Sequence, residues 1–339
     1  MRGVIWRIMI PHAVLDLVCV ASVLTHVAFL QSQQALGVLM IYNILAFGLR
    51  LVFGPLNDRY ATSRLMVVVG VVLVASGTGL IGALPVLGVV VVAVGNALFH
   101  VGGTQYCFAY PKSGAAVGWF FAFGAVGLAL GGILPMLGWY HPVWAMALLL
   151  VCLFVLRPLP SHWSVQRTAQ YGLGWAGIVV AIFTVSLGLQ SLAPIDGYFA
   201  WKDGSGWLGA LIIAMAVGRV MGGALLNTPM RHIAWLGPVA AGWLLPLATQ
   251  QPIFGVVSMA LLHGGYASAI TLGVSAWPQR TGLVFGLVSL GILGGSLPLL
   301  SPLRFTWQSQ ALSQGVLIMS GILICAGMYI VSKKSSRLA

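Results

Sequence analysis

Asp16 stands near the middle of the first long apolar run, and His12 lies four residues before it. Residues four apart share one face of a helix, so carboxyl and imidazole can meet in a hydrogen bond. An acid and an imidazole in an apolar setting can take up and release a proton. The chemistry expected of them is therefore proton coupling or cation binding; the alternative is a polar pair that pins this helix to a neighbour. A second set is written twice. Ala97-Leu98-Phe99-His100 returns as Ala260-Leu261-Leu262-His263, at an offset of 163, and Leu130 to Pro135 returns as Leu293 to Pro298 at the same offset. Asn96 lies four residues before His100 and Thr104 four after, a polar stripe on one helix, while Tyr266 follows His263 by three. Arg50-x3-Gly54-x-Leu56 recurs as Arg219-x3-Gly223-x-Leu225. Arg50 and Arg219 lie about a turn inside those glycines, placed either to snorkel to a polar interface or to face a cavity and draw anions.

The elements that carry these residues follow from composition. Hydrophobic residues make up 60% and charged residues 6% of the 339, with no Glu and a mean hydropathy of +1.01. A water-facing surface needs several times that charge, so the chain reads as an all-α polytopic membrane protein. Apolar runs of about 20 residues place spans at roughly 6–30, 36–54, 65–83, 86–108, 114–136, 142–157, 173–195, 206–226, 232–249, 251–272, 280–301 and 309–332. The expected domains are two six-helix bundles, 1–157 and 173–339, joined by a linker at 158–172. The first span reads as a helix rather than a cleaved signal peptide.

Charge sets the orientation. With the N-terminus inside, Arg2, Arg7, Arg59, Arg64, Lys112, Arg157, Arg167, Arg231, Arg280, Lys333, Lys334 and Arg337 fall on the cytoplasmic side, against Lys202 and Arg304 opposite. This is the positive-inside pattern, so both termini are expected in the cytoplasm of a bacterial inner membrane. The net charge of +12 is accounted for by topology, and no nucleic-acid partner is expected. Cys19, Cys107, Cys152 and Cys325 are scattered through apolar spans without metal or redox spacing. No metal and no cofactor are expected.

The stretch Gly54-Pro55-Leu56-Asn57-Asp58-Arg59-Tyr60-Ala61-Thr62-Ser63-Arg64 resembles the loop signature of the major facilitator superfamily, Gly-x-Leu-x-Asp-Arg-x-Gly-Arg-Lys. Gly54, Leu56, Asp58 and Arg59 match; Ala61 replaces the Gly, Thr62 and Ser63 the basic pair, and Arg64 comes one position late. In the second half Asn227 stands where the acid would be. The resemblance implies a twelve-helix transporter with this loop as a cytoplasmic gating element. Asp58 can accept hydrogen bonds from a neighbouring helix N-terminus and pair with Arg59 or Arg64, a latch on that gate; the alternative is a solvated charged turn that anchors the helix ends. Gly124 to Gly132 resembles the Gly-x-x-Gly-Pro-x-x-Gly-Gly stretch of proton-coupled exporters in that superfamily, with Leu128 in the Pro position. Phe99 to Gly103 is similar to the Phe-His-Pro element of its fosmidomycin-resistance branch, with Val101 for Pro.

The expected function is secondary active transport of a small solute by alternating access, proton-coupled and leaning to efflux, by a monomer in the lipid bilayer. Uptake of a small organic anion by symport is the alternative. An intramembrane enzyme would need a nucleophile paired with a base, and only His12 and Asp16 come near that. A non-transporting scaffold would need a soluble effector region, and the loops are too short to hold one between spans.

Overall fold

The computed structural model describes residues 2–110, 112–161, 173–193, 195–203, 206–299 and 309–335. Twelve helices run through them. The first six are α1 (Arg2–Val27), α2 (Ser32–Tyr60), α3 (Ser63–Leu80), α4 (Pro85–Phe108), α5 (Ser113–Met136) and α6 (Pro142–Leu156). The second six are α7 (Leu173–Leu192), α8 (Trp207–Leu225), α9 (Leu236–Ala248), α10 (Pro252–Ala276), α11 (Thr281–Ser296) and α12 (Gln310–Ser335). Nine are long and apolar enough to cross a membrane, and α6 and α9 are shorter apolar helices. Proline opens α4, α6 and α10, where its missing N–H costs no intrahelical bond. Most of the 158–172 linker lies outside the described residues.

Each half is packed in the same order. In the first, α1 packs on α5, α3 on α4 and α6, and α2 on α4; in the second, α7 packs on α11, α9 on α10 and α12, and α8 on α10. The two halves meet along α2 against α11 and α5 against α8. A twofold relation requires that pairing, since α2 corresponds to α8 and α5 to α11.

Small residues set these contacts, as they do where no water drives helices together. A Cβ on Gly127 would strike the Ala13 carbonyl and one on Gly131 the Leu17 carbonyl; Gly291 and Gly295 are closed off in the same way by Thr184 and Gly188. These pairs stand at an offset of 164, whereas the Leu-Gly-Gly letters repeat at 163. Gly132 and Gly294 face open space. The repeated letters are thus one residue out of register with the repeated packing.

The stretch 54–64, expected as a loop, is largely helix. After a break at Leu49, α2 continues through Pro55 to Tyr60, because a helix need not end where its apolar run leaves the hydrocarbon. The chain turns only at Ala61 and Thr62. Ala61 has φ 51°, the one left-handed non-glycine residue among those described, and it stands where the superfamily signature has glycine. An L-residue pays for this conformation and glycine does not. Ala61→Gly is expected to raise stability by about 1 kcal/mol, read as a higher unfolding temperature of the purified protein.

Candidate functional site

The inner helices of both halves enclose a cavity of about 350 Å³. His12, Asp16, Asn96 and His100 reach it from the first half, Arg219 and Tyr266 from the second, and Arg50 from the α2 seam. Its volume lies in the range of small-molecule sites. His263 stands just outside, lining an adjoining cavity with Gln190 and Met259.

Asp16 and His12 meet as their spacing predicts, with Asp16 Oδ2 3.1 Å from His12 Nε2. Spacing alone does not show that His100 completes the group. His12 Nε2 lies 2.9 Å from His100 Nε2, and Asp16 Oδ1 lies 3.7 Å from His100 Nε2. The other ring nitrogens determine what this contact is. His12 Nδ1 is 2.8 Å from the Phe120 carbonyl, and His100 Nδ1 is 2.9 Å from the Asn96 carbonyl. A carbonyl only accepts, so each Nδ1 carries a hydrogen. In two neutral rings both Nε2 atoms would then be bare lone pairs facing each other at hydrogen-bond distance. One proton between them turns repulsion into a hydrogen bond, and the adjacent carboxylate neutralises its charge. All three side chains are buried, and Phe120 stacks on the His12 ring at 3.8 Å.

The ligand atoms of His12, Asp16 and His100 lie within 4.8 Å of one another, close enough to hold a single metal ion. Arg50 weighs against a divalent one. Its Nη2 donates to Asn96 Oδ1 (3.1 Å), and Asn96 Nδ2 donates to Asp16 Oδ1 (3.1 Å), so a guanidinium already leans on the same carboxylate. A single added positive charge balances this group better than two.

The backbone approach that permits the cluster comes from Gly124. A Cβ there would stand 2.5 Å from the His12 ring and 2.8 Å from Asp16 Oδ2. The glycine stripe of α5 therefore seats that helix on α1 around the buried acid. The polar stripe of α4 divides: Asn96 and His100 join the cluster, while Thr104 bonds back to the His100 carbonyl at 2.7 Å.

The second half offers a different set at the mirrored place. Arg219 Nε donates to His263 Nδ1 (3.3 Å) and its Nη1 to the Phe121 carbonyl (2.7 Å). Tyr266 stacks on His263 at 5.5 Å and hydrogen-bonds Ser191. The repeated histidines thus have unlike partners, an acid for His100 and an arginine for His263.

One end of the cavity is shut. Gly54 and Gly282 are in backbone contact, as are Gly114 and Gly223, leaving no space for a Cβ at any of the four. There Asp58 accepts from the first N–H groups of α11, Oδ1 from Gly282 (2.8 Å) and Oδ2 from Leu283 (2.9 Å). The expected pairing with Arg59 or Arg64 does not accompany these bonds among the described residues. Arg59 lies over the Tyr60 ring, and Arg64 donates to the Arg157 carbonyl. Leu56 is exposed. Asn227, two residues beyond α8, bonds back to the Gly223 carbonyl (3.4 Å), so the mirrored seam packs alike but shows no latch among the described residues. Phe120 and Phe121 are missing from the sequence reading because they act through backbone carbonyls, which every residue has.

The fold is similar to that of solved major facilitator superfamily transporters. The solved structure of one, FucP in its outward conformation, superposes with a TM-score of 0.69 at 12% identity, covering 95% of this chain and 98% of that one. A bacterial homologue of the iron transporter ferroportin in an outward-facing state gives 0.67 at 14% identity, over 98% and 99% of the chains. The human organic anion transporter MFSD10 gives 0.65 at 13% identity, over 97% and 99%. No protein-family model and no curated protein sequence matches the chain. The chain thus shares the fold of these solved structures, with nine helices among the described residues long and apolar enough to cross a membrane.

Proposed function

We propose that the protein is a proton-coupled secondary transporter of a small solute, working by alternating access between halves 1–157 and 173–339. The observation that carries this reading is the His12–Asp16–His100 group, a buried set short of one proton that lines the cavity between the halves. An intramembrane ionisable group is functional by default because burying it is costly, and one that faces a solute cavity can exchange its proton as access alternates. The basic end, closed by Asp58, Gly54 and Gly282, is read as cytoplasmic, with both termini there, in a bacterial inner membrane. The state described is then closed to the cytoplasm. Arg64 and Arg157, brought together at that end, support the assignment. The chain is read as a working monomer, since the cavity is built within one copy.

Efflux is the direction that the glycine stripe resembles. That stripe now has a local task, seating α5 against α1, so the two arginines of the cavity weigh more and favour uptake of an anion with a proton. The test is solute-linked proton movement in vesicles loaded with a pH-sensitive dye, using a solute found by thermal-shift screening. The expected result is a pH change on adding solute to the wild type. Solute entry with no accompanying proton movement would refute the coupling.

A further inference from the structure

Two guanidinium groups line one cavity from opposite sides of the molecule. Arg50 comes from α2 and is 4% exposed, and Arg219 comes from α8. Buried charges are normally paired, yet among the described residues neither has a carboxylate within ion-pair distance. Asp58 is engaged on α11, and among the described residues Asp16 is the acid that lines this cavity. The charge of Asp16 is already shared with two histidines and reaches Arg50 only through Asn96. Among the described residues the cavity therefore holds an uncompensated positive charge.

Arg50 is also built to receive a ligand. It rests between Phe47 and Phe285, at 4.5 and 5.5 Å from the ring centres, which fixes the guanidinium plane. Its buried Nε–H has no partner, and an orphaned buried donor is costly. A carboxylate matches the guanidinium fork in shape and charge. Apart from Tyr42 and Asn43 the remaining walls are apolar, with Val20, Leu39, Leu128 and Ile292 among them.

Resting on the transport reading above, we infer that the solute is a small organic anion, a carboxylate with an apolar body, held between Arg50 and Arg219. On this reading a bound anion also favours closure of the halves. Closure moves two like charges toward each other, and an anion between them converts that repulsion to attraction.

The test is equilibrium binding to the purified full-length protein in nanodiscs, by calorimetry. The probes are butyrate, hexanoate and benzoate, each beside its neutral amide and its ammonium counterpart. At least one carboxylate is expected to bind, its amide about tenfold or more weakly, and its ammonium counterpart not at all. Arg50→Gln and Arg219→Gln should each weaken carboxylate binding by about tenfold or more, with lysine at either position restoring part of it. Amides binding as tightly as acids, preference for an ammonium, no binding by any carboxylate, or wild-type affinity in both Gln variants would overturn the proposal. The acid–amide comparison needs no variant, so a Gln variant that fails to fold leaves the test intact. Carboxylate binding without solute-linked proton flux would defeat the transport reading and keep the site. Proton-linked flux of neutral solutes alone would do the reverse.

Discussion

Asp16→Asn is expected to abolish accumulation driven by a proton gradient while leaving exchange of labelled for unlabelled solute largely intact. Asparagine preserves the volume and one acceptor oxygen, so Asn96 keeps a partner at Asp16 Oδ1, now 3.1 Å away. It removes the negative charge that lets one proton rest between His12 and His100, whose Nε2 atoms are 2.9 Å apart. Without that charge the proton would sit in an apolar wall beside Arg50, and burial of an unbalanced cation is unfavourable. Gradient-driven uptake should fall to the level of empty vesicles. Exchange needs only the loaded carrier to alternate, so it should persist. Vesicles that carry Asp16→Asn and still accumulate solute against its gradient would show that the proton travels elsewhere; loss of exchange together with accumulation would mark Asp16 as structural.

The second large effect is expected at the latch. Asp58→Ala removes two charge-assisted hydrogen bonds to the start of α11, at 2.8 and 2.9 Å. Each such bond contributes roughly 1.5–3 kcal/mol, and Asp58 is half-buried, so the low end applies. The closed state of that end should lose about 3 kcal/mol, a shift of about 100-fold in the closed–open equilibrium constant. Spin labels at the exposed Tyr60 and Arg280, on either side of the seam, would read the change as a longer and broader distance distribution. An unchanged distribution in Asp58→Ala would show that the glycine contacts alone hold this end shut.

Much of this is legible in the sequence, for identifiable reasons. Span limits such as 86–108 and 114–136 agree closely with Pro85–Phe108 and Ser113–Met136 because proline and apolar runs mark where helices begin. The His12–Asp16 contact follows from helical spacing within one element. The partnership with His100 does not, since it depends on how α1 and α4 pack at one height, and the repeated letters direct attention to His263 instead. The Phe120 carbonyl that holds the His12 tautomer has no signal in a list of side chains. The letters repeat at 163 residues, while the packed glycines at 127, 131, 291 and 295 repeat at 164, so the letters alone misplace the packing by one residue. The extension of α2 to Tyr60 is hidden because its last turns are polar, although the Asp58 they carry is placed by the loop signature.

The most direct test of proton coupling at the His12–Asp16–His100 group is uphill movement under an imposed pH difference alone. Wild-type protein in vesicles with equal solute on both faces and an acidic exterior should move solute against its own developing gradient. The movement should collapse when a protonophore equalises the pH. Solute that stays level on both sides, with or without the pH difference, would contradict it.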